Sequence, residues 1–211
     1  MTKKTMAVAL AAVLVAGAAQ AGTVTLINNA TTGLYNNGIG TLLNNSSAAF
    51  PTAGDPTVHF NSAPSLAAAA TQLGNWLTNP AAPGGSWGAS AQAIPGSWTV
   101  GTEDAIIYAF DAGAGLTNFS ASFGVDNGIF VWLDGVFLGG DMAPGSAVAG
   151  EYTYTAAALS AGTHYLQVLR EDHGGGTGYS VNVTANTVPE PGSLALAGLA
   201  LLAASRLRRR A

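Results

Sequence analysis

From Ser97 onward the chain is cut into short apolar runs by turn residues, and this punctuation leaves few folds open. Its clearest instance is Phe130-Val131-Trp132-Leu133, then Asp134-Gly135, then Val136-Phe137-Leu138. Asp-Gly tolerates the left-handed backbone of a two-residue hairpin turn, so two strands joined tightly are expected there. Other strands are expected at 97–100, 105–111, 119–125, 128–133, 152–155, 164–170 and 179–184. Asp126-Asn127-Gly128, Ala161-Gly162 and Gly174-Gly175-Gly176 separate several of them. Many short strands at this spacing predict an all-β chain, an antiparallel β-sandwich or jelly roll.

Upstream the signals thin out. Thr23–Asn28 alternates as a strand does, and Thr57–Asn61 is a second candidate. The stretch 63–77 is a candidate helix, with Ser62 or Ser65 as its cap. Residues 29–54 are rich in Gly and Asn and show no period, and 79–95 reads as loop because of Pro80, Pro83, Gly84, Gly85 and Gly88. The chain has no cysteine, so no disulfide supports the fold. Residues 22–187 hold ten acids and one base, Arg170, for a formal charge of −9 with histidines neutral. Such a surface repels nucleic acid and anionic membrane.

The two ends read as addresses, which divides the chain into 1–21, 22–187 and 188–211. Lys3 and Lys4 precede an apolar run over 6–17, and Ala19-Gln20-Ala21 has the small-x-small form of a signal peptidase site, so cleavage is expected before Gly22. At the other end Pro189-Glu190-Pro191 is followed by an uncharged stretch, 192–205, and then by Arg206, Arg208, Arg209 and Arg210. As a helix that stretch would span about 21 Å at ~1.5 Å per residue, short of a hydrocarbon core of about 30 Å. Such a segment suits a temporary anchor, with the arginines as a stop-transfer cluster on the cytoplasmic side. Tripeptide, short apolar helix and arginine cluster, in that order, resemble the PEP-CTERM sorting signal of exported bacterial proteins. The resemblance implies recognition and removal of the tail by an exosortase-type membrane protease. It also implies an inner-membrane intermediate and delivery to the cell surface or extracellular matrix.

Inside the domain the most distinctive stretch is 125–136, Val-Asp-Asn-Gly-Ile-Phe-Val-Trp-Leu-Asp-Gly-Val. Together with the later Ala161-Gly162 turn and the strand after it, it resembles the protective-antigen-like sugar-binding jelly rolls of adhesins and glycosidases. In sugar-binding members an Asp-Asp pair helps to hold calcium; here the pair is Asp126-Asn127, and the second position has lost its charge. The resemblance implies a calcium site at Asp126, Asn127 and Asp134 and a ligand contact at Trp132. The residues alone equally allow a plain turn at 126–128 with Trp132 in the core. Asp134, Asp141, Glu171 and Asp172 also lie at expected turns or strand ends, where carboxylates could join in holding calcium or form a solvated acidic surface.

Enzyme signatures are sparse. Gly84-Gly85-Ser86-Trp87-Gly88 matches Gly-x-Ser-x-Gly without the strand and helix that a hydrolase elbow needs. Glu171-Asp172-His173 sits beside the glycine run and reads equally well as a hairpin connection, and His59, His164 and His173 have no metal-ligand spacing. Trp76, Trp87, Trp98 and Trp132 could offer a stacking face to sugars or fill the core. Two functional expectations follow. The first is a non-enzymatic surface or matrix protein, structural or adhesive, that binds extracellular polysaccharide. The second is an extracellular carbohydrate-active hydrolase using Glu103, Asp104 or Glu171.

Overall fold

The computed structural model describes residues 21–44, 49–50, 56–188 and 198. Gly22–Val188 form one compact unit. The expected signal peptide with Ala19, the motif Pro189-Glu190-Pro191, the short apolar helix apart from Gly198, and Arg206, Arg208, Arg209 and Arg210 lie outside the described residues. Ala21 is described. Among the described residues no helix is long and apolar enough to cross a membrane.

The expected all-β architecture is present, as two antiparallel sheets. The strands are β1 (Thr23–Asn28), β2 (Thr32–Gly40), β3 (Val58–Phe60), β4 (Gln92–Ala93), β5 (Glu103–Asp111), β6 (Leu116–Asp126), β7 (Gly128–Leu133), β8 (Val136–Met142), β9 (Tyr152–Leu159), β10 (Thr163–Glu171) and β11 (Gly178–Thr187). The smaller sheet has the order β1-β11-β6-β9 and the larger β3-β8-β7-β10-β5-β2-β4. The β7–β8 hairpin forms as its sequence demands: Asp134 and Gly135 take φ of 51° and 77°, the left-handed pair of a two-residue turn.

Strand alternation sends side chains to two separate cores. Ile106, Tyr108, Ile129, Val131, Leu166 and Val168 point inward from the larger sheet and meet Phe119, Phe123, Val181 and Val183 of the smaller one. The opposite face of the larger sheet is also apolar, with Ala105, Ile107, Phe130, Trp132 and Leu169. Both faces of its central strands are thus buried, which explains the unbroken apolar run of β7. Among the described residues all these core side chains lie between Ile27 and Ala185, within the compact unit Gly22–Val188.

The cover for the outer face comes from the part of the chain with no period. Ile39, Leu43, Phe50, Leu73 and Trp76 lie over that face. Two buried polar side chains peg this cover in place. Asn36 donates from Nδ2 to the Gln72 carbonyl at 2.8 Å, and Gln167 donates to the Trp76 carbonyl at 3.2 Å. Within 63–77 helix forms only as a turn of 3-10 type over Ala67–Ala69 and one α turn over Ala70–Leu73. No side chain caps either turn, and Gly74, at φ 57°, closes the second against the Pro83 carbonyl, where a Cβ would sit 2.2 Å from that oxygen. The expected strand at 97–100 is instead a bent connection, because Trp98 is turned inward onto Arg170.

Candidate functional site

Arg170 is the only base among residues 22–187, and β10 carries it into the interior, where it is fully buried. Asp104 faces it directly from β5 in the antiparallel register. The guanidinium donates from Nε to Asp104 Oδ1 at 2.6 Å and from Nη2 to Oδ2 at 3.0 Å, a two-pronged pair, and Nη1 reaches the Pro95 carbonyl at 2.9 Å. Burial alone would lower the arginine pKa. The charge of Asp104 and the bonds to it, with the rings of Tyr179 and Tyr35, outweigh that, and the net direction is upward. The guanidinium carbon also lies 4.1 Å from the ring centroid of Trp98 and 4.5 Å from that of Tyr179.

Around this pair the surface opens into a depression of about 410 Å³ lined by Tyr35, Asn37, Pro95, Ser97, Trp98, Thr99, Thr102 and Asp104. Tyr35 comes from β2 and donates its hydroxyl to Asp104 Oδ2 at 2.7 Å. Burial, and then the neighbouring carboxylate, push that phenol well above its usual pKa, so it remains a donor. Trp98 comes from the bent connection; its indole N–H is bonded to the Thr102 carbonyl at 2.9 Å and its backbone N–H to the Thr177 hydroxyl at 2.9 Å. Both ring and backbone are therefore fixed. Asn37, Ser97 and Thr99 are exposed around it and offer amide and hydroxyl groups. The site combines a rigid aromatic ring, a buried carboxylate neutralised by its own arginine, and neutral polar groups.

The residues singled out by sequence fall elsewhere. Asp126 and Asn127 precede β7 and Asp134 follows it, so a strand of about 20 Å, at ~3.3 Å per residue, separates them and one ion cannot touch all three. Asn127 Oδ1 instead accepts from the backbone N–H of His173 at 3.1 Å. Asp134 accepts from the Tyr165 N–H at 2.8 Å and from His164 Nδ1. Among the described residues no three His, Cys, Asp or Glu side chains are grouped so as to hold a metal ion. Trp132 is only 2% exposed, packed against Trp76 at 5.2 Å and Phe137 at 5.5 Å between ring centroids, and has no face for a sugar. Trp76 and Trp87 stack on each other in the same outer core, which leaves Trp98 as the tryptophan beside the depression.

The three carboxylates considered for hydrolysis point to different faces. Asp104 is directed inward and held by Arg170. Glu103 and Glu171 are cross-strand neighbours on the outer face, 1% and 0% exposed. Burial raises Glu103 to about 7, with a bond from the Leu43 N–H opposing the rise. Glu171 Oε2 lies 3.0 Å from His173 Nε2. Sequence reasoning passed over Arg170, yet one base in a domain of ten acids marks an internal anchor, because a lone cation enters an apolar interior only with a committed partner.

No curated protein matches the chain in sequence. Among solved structures, that of a GH2 beta-galacturonidase from Eisenbergiella tayi bound to glycerol is similar over 78% of this chain and 24% of that one, with 13% identity and a TM-score of 0.38. Residues 187–210 match the family model of the PEP-CTERM protein-sorting motif, which coincides with the tripeptide, apolar stretch and arginine cluster at 189–210. The chain therefore carries a PEP-CTERM sorting signal at its C-terminus, and is an exported protein, anchored transiently in the membrane and handed to an exosortase.

Proposed function

We propose that the chain is a non-enzymatic component of the cell surface or extracellular polysaccharide matrix, and that it binds neutral glycans in the depression between Tyr35, Trp98 and Asp104. The observation that carries this reading is the fixed Trp98 ring set beside a carboxylate and a rim of amide and hydroxyl groups. An indole presents apolar area to sugar C–H bonds at little cost in conformational entropy, and Asn37, Ser97, Thr99 and Thr102 match sugar hydroxyls. Charge selects the class of sugar. Asp104 is balanced by Arg170, so the depression is close to neutral, while residues 22–187 total −9 and repel acidic polymers. A non-enzymatic role is supported by the state of the acids: Asp104 is occupied by three hydrogen bonds, and Glu103 and Glu171 are buried.

The test is retention of Gly22–Val188 on immobilised neutral and acidic polysaccharides, with an assay for released reducing ends. Retention on neutral polymer alone, lost in Asn37→Ala/Thr99→Ala, is expected. Sugar release that disappears in Glu103→Gln or Glu171→Gln would establish the hydrolase instead.

A further inference from the structure

Exposed sheet edges offer unpaired N–H and C=O groups to other chains, and proteins that stay apart protect them. Three of the four edges here are protected. β3 has three residues and β4 two, and the strands they cover only in part, β8 and β2, are each interrupted by a register shift, at Leu138 and between Asn36 and Gly40. β1 is interrupted by a register shift between Thr25 and Ile27. The fourth edge, β9, has none of these devices. It runs eight residues, Tyr-Thr-Tyr-Thr-Ala-Ala-Ala-Leu, with no charge, no proline and no register shift against β6. Among the described residues no strand pairs with its other side.

We propose that the outer edge of β9 is where two copies of this chain pair, antiparallel about a two-fold axis, joining two four-stranded sheets into one of eight. Charge identifies both the occupant and the direction. The unit carries −9, yet 152–159 is an uncharged stretch in which a second copy meets no like charge. Glu151 immediately precedes it. Parallel pairing would set the two Glu151 side by side, whereas antiparallel pairing puts them at opposite ends of the ladder, about 30 Å apart at ~3.4 Å per residue. Thr153, Thr155, Ala157 and Ala158 are exposed and small, so nothing bulky obstructs the approach of an identical strand. A symmetric, self-complementary contact of this kind closes at two copies.

Sedimentation velocity on Gly22–Val188, from micromolar to millimolar protein, tests the pairing. The wild type is expected to reach twice the monomer mass. Thr155→Asp, an exposed change that sets like charges against each other at the middle of the ladder, is expected to return the mass to that of the monomer. Thr25→Asp, the equivalent change on β1, is expected to leave the dimer intact. Hydrogen exchange on the wild type supplies a readout independent of any variant: β9 amides should gain protection as concentration rises. A wild type that stays monomeric, an assembly that grows beyond two copies, or a dimer indifferent to Thr155→Asp but split by Thr25→Asp would each overturn the proposal.

Discussion

Arg170 shows how a single side chain organises both the interior and the surface of this domain. Its charge is met by Asp104 in a two-pronged pair, its planar face by Trp98, and its Nη1 by the Pro95 carbonyl. Removing one member of such a buried pair strands the other charge, which costs about 3–5 kcal/mol. Arg170→Ala should therefore lower the unfolding free energy by that amount in denaturant titration, and it should also release Trp98. A drop under about 1 kcal/mol, the range of surface pairs, would contradict this account. Glu103 yields a second prediction at this scale. Its folded pKa of about 7 lies above the 4.5 of the free side chain. The folded state thus holds the extra proton between these values, and stability falls as pH rises from about 4.5 through 7. The effect is about 3 kcal/mol at most, less whatever solvent screening removes. Glu103→Gln, which keeps an acceptor for the Leu43 N–H, should raise the melting temperature at pH 8 and flatten its dependence over that window. An unchanged slope in the variant would rule out Glu103 as its source.

Among the elements, β1 and β7 were legible to the residue, because alternation and a bounded apolar run are direct consequences of burial on one face or two. The Asp134-Gly135 turn was legible for the same local reason, since few residue pairs accept that backbone. β2 was not. It buries Gly33, Asn36 and Ile39 in place of alternating large apolar side chains, and Asn36 goes inside because its amide pegs the covering segment to the sheet. That contact joins residues far apart in sequence, so no local period announces it. The candidate site was illegible in the same way: Trp98 and Arg170 lie far apart in sequence and meet only in the fold. Conversely the conspicuous 126–134 stretch proved to be ladder, turn and core. Trp132 in particular holds the outer core under Trp76 and Phe137, and Trp132→Ala should cost about 3–5 kcal/mol. The check is denaturant unfolding; a cost below about 1 kcal/mol would mean the covering segment is only loosely docked.

At the scale of the whole molecule, charge explains most of what the domain favours. Without disulfides, an exported unit of −9 depends on its two cores and on the few places where acids are neutralised. His164 belongs with these. Burial opposes its charge, but bonds to Asp134 and to the Ser160 carbonyl, together with the Asp134 charge, raise its pKa above 6.5. That contribution is fully present below about 6.5 and disappears as pH rises through the folded value. Glu103, His164 and the net charge therefore act in one direction, and the melting temperature of Gly22–Val188 should be higher at pH 5.5 than at pH 8. A higher value at pH 8 would show that acid pairs elsewhere dominate. The sorting signal directs the protein to export, and the depression beside Arg170 is where we propose that the folded domain acts.

Intrinsic tryptophan fluorescence of Gly22–Val188, titrated with a neutral matrix polysaccharide, tests that claim most directly. Trp76, Trp87 and Trp132 lie in the outer core and Trp98 lines the depression, so a bound sugar should perturb Trp98 alone. The account predicts a saturable change with neutral polymer, absent with acidic polymer and absent in Trp98→Phe. A change that persists in Trp98→Phe, or no response to any neutral glycan, would contradict it.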